Sequence, residues 1–413
     1  MEYGCIGRKL PHSFSREIHA LIENYRYELL ELEPEELDGF MKKADFRAVN
    51  VTIPYKEAVI PYLAEISPNA AAIGAVNTIV NRGGRLFGYN TDFSGMDALV
   101  GKAGLSLEGR KVLILGTGGT SRTALALAKA RGAREVLRVS RTKNRGAVSY
   151  EEARGLHGDA EIIINTTPCG MFPRHREKPL SLEPFTALEG VIDAIYNPLR
   201  TELVLDALER GVKAEGGLYM LAAQAVFAAE RFLDKKYPET LVGSIYKKVR
   251  ADKENIVLIG MSGAGKSSAA KALKRITERP AADTDAMIEQ KAGMKIKDIF
   301  RKYGEEHFRR LESEAIEELA GRNGMVIATG GGAPLCRENL RALKKNGRIV
   351  LLERDLGEIT PDPARPLADS EDKIRALYAR RRPVYRAAAD MTVQVAENPD
   401  ATAMEILKKR FSE

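Results

Sequence analysis

Twice in its 413 residues the chain runs a short apolar strand into a glycine-rich turn and out along a helix. The first passage is "RKVLILGTGGTSRTALALAKARG" (110–132); the second is "NIVLIGMSGAGKSSAAKALKRI" (255–276). A continuous apolar strand of this kind is buried on both faces, which calls for helices on either side of a parallel sheet. Parallel neighbours need crossover connections, so the fold class is α/β. This length allows two or three domains. The two halves share that class but contain no internal repeat.

The remaining pattern alternates in the same way. Residues 16–26 place Ile18, Leu21, Ile22 and Tyr25 on one helical face. Residues 27–33 read as a strand, 34–43 as a helix opening at Pro34, and 48–54 as a strand stopping at Pro54. A hairpin is predicted over 74–92, turning at Arg82–Gly83–Gly84. Strands follow at 135–140 and within 159–168 and 190–198, then an Ala-rich buried helix over 216–233. The charged stretch "YKKVRADKEN" (246–255) reads as a linker, with a second α/β domain beyond it.

Charge and cysteine content narrow the function classes. The net charge of +7 is spread along the chain, with no dense Lys/Arg block interleaved with aromatics. That disfavours nucleic acid and suits small phosphorylated or carboxylated ligands. Cys5, Cys169 and Cys336 lie far apart without a C-x-x-C, which points to a reducing compartment and neither disulfides nor zinc. The N-terminus lacks a signal-like apolar run, and no stretch nears the ~20 apolar residues of a membrane span. A cytoplasmic protein with no membrane partner is expected.

The two turns differ in chemistry. Gly116, Gly118 and Ser121 occupy the small positions of G-x-G-x-x-G/A, with Thr117, Gly119 and Thr120 between them. Such a turn brings a pyrophosphate close to backbone and to the N–H groups of a helix start. The following strand ends in Ser140–Arg141–Thr142–Lys143, with no acid for a ribose hydroxyl and two cations for a 2′-phosphate, so NADP(H) is the expected cofactor. The second turn, "GMSGAGKS", matches G-x-x-x-x-G-K-[ST]. Gly263, Ala264, Gly265 and Ser268 supply loop positions around a nucleoside triphosphate, Lys266 reaches the β/γ-phosphates, and Ser267 serves Mg²⁺.

Polar groups gather at strand ends before the first turn: Asn50, Thr52, Lys56, Asn90 and Asp92. A lysine beside a carboxylate can protonate a carbonyl oxygen as hydride arrives at carbon, worth about 10²–10⁴-fold. After the second turn come Asp283 and Asp285, then Arg309, Arg310 and Glu312, "TGGGA" (329–333), Arg365 and Arg386.

The ordered motifs "HSFS" (12–15), "NVTIPYK" (50–56), "GAVNT" (74–78), "GYNTD" (88–92), "GTGGTSR" (116–122), "NTTPCGM" (165–171), "DAIYNP" (193–198) and "GLYMLAAQA" (217–225) resemble shikimate dehydrogenases over residues 3–248. The resemblance implies reduction of 3-dehydroshikimate with NADPH. It implies a shikimate pocket lined by Ser13, Ser15, Asn50, Thr52, Asn77, Asp92 and Gln224, with Lys56 and Asp92 as the catalytic pair. Tyr196 would lie near the substrate, Met220 and Gly217 near the nicotinamide, and Arg141 and Arg145 at the 2′-phosphate. Departures are Arg16 and Glu202 where proline is usual, and a span from Arg141 to Asp159 short of one helix–strand pair.

Residues 255–413 resemble shikimate kinase. The resemblance implies that Asp285, Arg309, Gly331 and Arg386 bind shikimate with Glu312 in support, and that Ser267 and Asp283 belong to the Mg²⁺ site. Lys266 and the lid residue Arg365 would stabilise the moving phosphoryl charge, and Asp285 would accept the hydroxyl proton. The lid "RDLGEITPDPARPLA" is shorter than usual.

Together these imply a bifunctional enzyme that makes and then phosphorylates shikimate. Its expected domains are a substrate-binding domain (1–95, completed by helices at about 218–248), a Rossmann domain (96–217), the linker, and a P-loop kinase domain (255–413). Two other readings stay open. A dehydrogenase of quinate with NAD joined to a kinase of another small polyol acid is disfavoured by Ser140–Arg141 and by the Asp285/Arg309/Arg386 set; a non-catalytic sensor or scaffold is disfavoured by Lys56, Asp92, Lys266, Ser267 and Asp285 all being present. Oligomeric state, monomer or homodimer, is left open.

Overall fold

The computed structural model describes residues 1–10, 14–142, 146–361 and 367–411, so Ser13, Arg145 and Arg365 lie outside the described residues. The chain divides into two units, Met1–Arg250 and Ala251–Glu413.

In the first unit, β1 (Tyr3–Gly7), β2 (Tyr27–Glu31), β3 (Ala48–Val51), β4 (Glu65–Ile66), β5 (Thr78–Arg82) and β6 (Arg85–Tyr89) form a sheet in the order β2-β1-β3-β5-β6-β4. β1 runs parallel to β2 and β3, while β3–β5 and β5–β6 are antiparallel. The β5–β6 hairpin turns on Gly83 and Gly84, at φ +61° and +86°, the left-handed pair that a two-residue turn of matching twist requires. Helices α1 (Ser15–Ile22), α2 (Leu37–Lys43) and α3 (Pro68–Ile73) connect these strands, and α4 (Asp92–Lys102) leads out of the sheet. The predicted helix over 34–43 is split into a three-residue 3₁₀ turn, Pro34–Glu36, and α2.

A second, all-parallel sheet in the same unit orders β7 (Lys111–Leu115), β8 (Glu135–Val139), β9 (Ile162–Asn165), β10 (Gly190–Asp193) and β11 (Lys213–Glu215) as β11-β10-β9-β7-β8. Its helices are α5 (Gly119–Ala130), α6 (Tyr150–Leu156) and α7 (Glu202–Glu209). The chain leaves β7 for β8 on one side and returns to β9 on the other. The turn after β7 therefore lies at the topological switch point, where such sheets bind ligands. The described residues between Arg141 and Asp159 hold one short helix, and Val148 makes a lone bridge to Val139, which leaves β8 as the edge strand.

α8 (Leu218–Leu233) and α9 (Thr240–Lys253) close the unit. α8 buries Ala222, Ala223, Ala228 and Ala229 completely. Its backbone approaches α4 so closely that a Cβ on Gly95 would stand 2.9 Å from the Met220 carbonyl. The expected linker 246–255 is instead the end of α9 followed by the next strand. Val242, Ile245, Tyr246 and Val249 are buried at helical spacing, so an apolar stripe runs under the charged surface that suggested a linker.

The second unit orders β12 (Asn255–Ile259), β13 (Ala281–Asp283), β14 (Val326–Ala328), β15 (Gly347–Glu353) and β16 (Met391–Gln394) as β13-β14-β12-β15-β16, all parallel. Its helices are α10 (Lys266–Thr277), α11 (Thr284–Ala292), α12 (Ile296–Ala320, broken at Gly304), α13 (Arg337–Asn346), α14 (Glu371–Ala388) and α15 (Pro399–Phe411). Apolar clusters fill both faces: Val257, Ile259, Ile327 and Leu351 on one, Ile256, Leu258, Val326 and Val350 on the other. β12 is central, so the turn after it opens at the middle of the strand ends. Among the described residues no helix is long and apolar enough to cross a membrane.

Candidate active sites

Asp92 is the first residue of α4, where the helix dipole favours a carboxylate. Its Oδ2 accepts from Lys56 Nζ at 2.5 Å and its Oδ1 from Asn77 Nδ2 at 2.9 Å. Both side chains of the pair are largely buried, Lys56 15% and Asp92 3% exposed. Asn77 also donates to Gln224 Oε1 at 3.4 Å and accepts the Thr91 N–H at 2.8 Å. The predicted Lys56, Asn77, Asp92 and Gln224 thus form one connected group, brought together from the loop after β3, the residue before β5, α4 and α8.

Asn50 joins it through the backbone, donating to the Asn77 carbonyl and to Thr78 Oγ1, both at 3.2 Å. Thr52 lies half-buried over Gly7, where a Cβ would meet its methyl at 2.5 Å, and Ser15 starts α1. Tyr196 packs on Phe14, and burial pushes its hydroxyl up to about 12. Asn90 braces the turn by donating to the Ala75 carbonyl at 2.9 Å.

Sequence reasoning missed Tyr27, whose hydroxyl donates to Asn50 Oδ1 at 2.7 Å. It also missed His19, stacked on Tyr27 at 3.8 Å and lowered to about 3 by burial. The strand pattern at 27–33 gave no hint of a pocket, because alternation does not say which face carries function.

At the turn after β7, Gly116 has φ +109°, and a Cβ there would meet Thr166 Oγ1 at 2.9 Å. Ser121 is buried and donates to the Gly116 carbonyl at 2.7 Å, which closes the turn. A Cβ on Gly118 would meet nothing within 4 Å, whereas one on Gly119 would lie 3.7 Å from Lys56 Cδ. The loop, with Thr117 and Thr120 half-buried, therefore offers open space at Gly118 and borders the lysine at Gly119. Ser140 is anchored by its N–H to the Val148 carbonyl and Arg141 is exposed. Gly217 precedes α8 with the Ala194 carbonyl standing where a Cβ would go, and Met220 is buried in the helix. Beneath them Asp193, at the end of β10, accepts from Asn165, Thr201 and the Ile195 N–H. Burial raises it to about 6 against those bonds.

In the second unit Lys266 Nζ donates to the carbonyls of Gly260 and Met261, at 2.9 and 2.8 Å, folding the turn around its own ammonium. Gly263 and Gly265 take positive φ (+85° and +92°) and Ala264 is buried. Ser267 Oγ donates to Asp283 Oδ2 at 2.5 Å, while Asp283 Oδ1 caps α11 by accepting the N–H groups of Asp285 and Ala286. Ser268 follows on α10. One hydroxyl and one carboxylate oxygen side by side fit Mg²⁺, which takes few protein oxygens beside phosphates and water.

Across from the turn, Arg309 Nη1 donates to Glu312 Oε2 at 2.8 Å, and Arg310 is exposed beside His307. Asp285 Oδ1 and Glu312 Oε1 are buried with no hydrogen-bond partner among the described residues. Both face Gly330, whose Cβ would stand 2.7 and 2.5 Å from them. Burial pushes Asp285 up to about 6, helped by Asp283 and Glu312 and opposed by Lys266 and Arg309. Burial raises Glu312 as well, against Arg309. Gly331 abuts Ser262, and a Cβ on Gly332 would strike the Arg309 guanidinium. The glycine run is thus the surface on which the charged groups converge.

Arg386 is not part of that convergence. Its guanidinium donates to Glu353 at 3.0 Å and its side chain is half exposed. The arginine at the glycine run is Arg381, 3% exposed, with Nη1 donating to the Gly331 carbonyl at 3.2 Å beside the Tyr385 hydroxyl on the same oxygen. Positions 381 and 386 are five apart, about 140° around a helix.

The profile of the shikimate dehydrogenase substrate-binding domain matches residues 5–79, and that of shikimate kinase matches residues 262–410. A shikimate dehydrogenase (NADP⁺) of Clostridium perfringens is 34% identical over 275 residues, covering 60% of this chain and 98% of that protein. One from Geobacillus kaustophilus is 37% identical over 252 residues, covering 56% and 91%. Among solved structures, shikimate dehydrogenase 1 of Peptoclostridium difficile is 37% identical with a TM-score of 0.56, covering 60% of this chain and 98% of that one. Shikimate 5-dehydrogenase of Thermus thermophilus, solved with NADP(H) and shikimate, is 31% identical with a TM-score of 0.55, covering 60% and 99%.

Proposed function

The chain belongs to the shikimate dehydrogenase family and carries a shikimate kinase domain behind it, and on that premise we propose which residues perform each half of a two-step conversion. NADPH supplies the hydride for reducing 3-dehydroshikimate to shikimate, and MgATP the phosphoryl group for converting shikimate to shikimate 3-phosphate.

In the first unit Lys56 protonates the carbonyl oxygen as hydride reaches the carbonyl carbon. Asp92 holds the ammonium in place and accepts a substrate hydroxyl, with Asn77, Gln224, Asn50, Thr52 and Ser15 orienting the ring. Arg141 reads the 2′-phosphate, and Gly217 and Met220 border the nicotinamide. The observation that carries this reading is Lys56 Nζ at 2.5 Å from Asp92 with its chain beside the Gly119 turn.

In the second unit Asp285 takes the proton of the attacking hydroxyl as its oxygen bonds to the γ-phosphorus and the bond to the β-phosphate oxygen breaks. Lys266 neutralises charge on the transferred group, and Ser267 and Asp283 would hold Mg²⁺. Arg309 and Arg381, rather than Arg386, bind the substrate carboxylate as guanidinium forks. The orphaned oxygens of Asp285 and Glu312 support a ligand bearing hydroxyl donors. A cytoplasmic setting belongs to the same proposal.

The test is two assays on one purified protein. Lys56→Ala should lower dehydrogenase kcat by about 10²–10⁴ and leave kinase activity intact, and Lys266→Ala should do the reverse. A wild-type protein lacking either activity refutes the reading.

A further inference from the structure

We propose that Arg122 and Glu57 form a clasp that fixes the spacing between the Gly116–Gly119 turn and the Lys56 loop, making Arg122 a positioning residue of the dehydrogenase reaction. The proposal rests on the reading of Lys56 as proton donor.

Arg122 sits in the first turn of α5, three residues beyond Gly119. A cation there is opposed by the helix dipole and by the free N–H groups of the turn, so its placement needs a partner. Its guanidinium finds two on connections between strands of the first sheet. Nη2 donates to Glu57 Oε2 at 2.9 Å, and Nη1 donates to the Gly74 carbonyl at 3.2 Å.

Both partners flank the lysine. Glu57 follows Lys56 directly. Gly74 lies two residues before Val76, whose N–H donates to the Lys56 carbonyl at 2.8 Å. One planar fork therefore holds both the residue after Lys56 and the segment that pairs with the Lys56 carbonyl, while Lys56 Cδ lies 3.7 Å from the Cβ position of Gly119.

The ion pair alone is weak, since Glu57 is half exposed and Arg122 about a quarter. Geometry is what the clasp supplies. The group that delivers a proton and the turn that holds the hydride donor come from different sheets, and a misplacement of about 1 Å between reacting partners can cost as much as 10²-fold. A lysine at 122 would keep the charge but not the fork. Because the guanidinium is committed to Glu57 and Gly74, Arg122 is assigned to the clasp rather than to the cofactor phosphates.

The experiment uses the full chain, with kinase activity as the internal measure of enzyme concentration and the urea midpoint of the first unit, read on its peptides by limited proteolysis, as the control of folding. Dehydrogenase kcat and KM are measured for Arg122→Ala, Arg122→Lys, Glu57→Gln and Lys56→Ala, using NADPH and NADPH deuterated at its transferable hydrogen. Arg122→Ala should lower kcat about tenfold and increase the isotope effect on kcat, because hydride transfer then limits turnover. Arg122→Lys and Glu57→Gln should fall between it and wild type, and adding Glu57→Gln to Arg122→Ala should cost nothing further. A kcat within twofold of wild type, or a loss matching the unfolded fraction with an unchanged isotope effect, overturns the clasp. Retained activity in Lys56→Ala overturns instead the reading beneath it.

Discussion

Asp92 in the first unit, buried, and Asp285 in the second, half-buried with its Oδ1 enclosed, are both carboxylates near a lysine, yet they are held in opposite ways. Asp92 commits one oxygen to Lys56 and the other to Asn77. Asp285 keeps Oδ1 without a partner among the described residues and faces Asp283 and Glu312. The first arrangement is complete in itself and holds a charged acid ready for a carbonyl. The second stores unsatisfied acceptors that a polyol would fill, so its cohesion depends on what binds. Buried polar groups cost stability when unpaired and specify geometry when paired.

The sharpest way to break this contrast is to neutralise each carboxylate. Asp92→Asn strands the Lys56 ammonium, and the urea midpoint of the first unit, read on its peptides by limited proteolysis, should drop by an equivalent of about 3–5 kcal/mol. Next in size, Arg381→Ala should raise the kinase KM for shikimate at least tenfold, through loss of a buried charged hydrogen bond worth about 2–5 kcal/mol. Arg386→Ala, which breaks only a half-exposed pair with Glu353, should change that KM less than twofold; equal effects would undo the assignment.

Asp285→Asn should have a smaller effect of opposite sign. At pH 8 it should stabilise the second unit by about 1–3 kcal/mol while kinase activity falls, because the wild type carries a buried charge among like charges. A destabilised variant would mean that Asp285 is satisfied after all.

The smallest effect is a pH slope in the first unit. His19, lowered to about 3, is neutral in the fold but protonated in the unfolded chain below its usual 6.5, so its contribution is lost as pH falls. Asp193, raised to about 6, keeps its proton in the fold while the unfolded chain releases it above 3.8, so its contribution is lost as pH rises. Between about pH 4 and 6 the two slopes oppose and nearly cancel. In Asp193→Asn only the histidine slope remains, and stability should fall about 1.4 kcal/mol per pH unit more steeply on acidification than in wild type, measured by urea midpoints across that range.

Much of this was legible in the chain. Apolar strands entering glycine turns marked both sheets, and the Lys56 and Asp92 motifs named residues 36 positions apart that meet at 2.5 Å. What escaped depended on facing and register. "RRRPVYR" offers four arginines, and only the packing of α14 turns Arg381 toward Gly331 and Arg386 toward Glu353. Charged residues disguised α9 as a linker because its apolar stripe is narrow. Tyr27 and His19 join the group only through a hydrogen bond to Asn50 and a ring stack that no local pattern encodes.

The order of elements also bears on how the chain is made. Ile18 and Ile22 of α1 pack on Leu221, Ala225 and Val226 of α8, and Tyr3 and Tyr27 share a cluster with Ala228 and Phe232. The first sheet therefore waits for a cover encoded some two hundred residues downstream, with the whole second sheet translated in between. At ordinary synthesis speeds of about 5–20 residues per second, that leaves its apolar face open for roughly 10–40 s on the ribosome. A nascent chain of this design would be a natural client for chaperones during that interval.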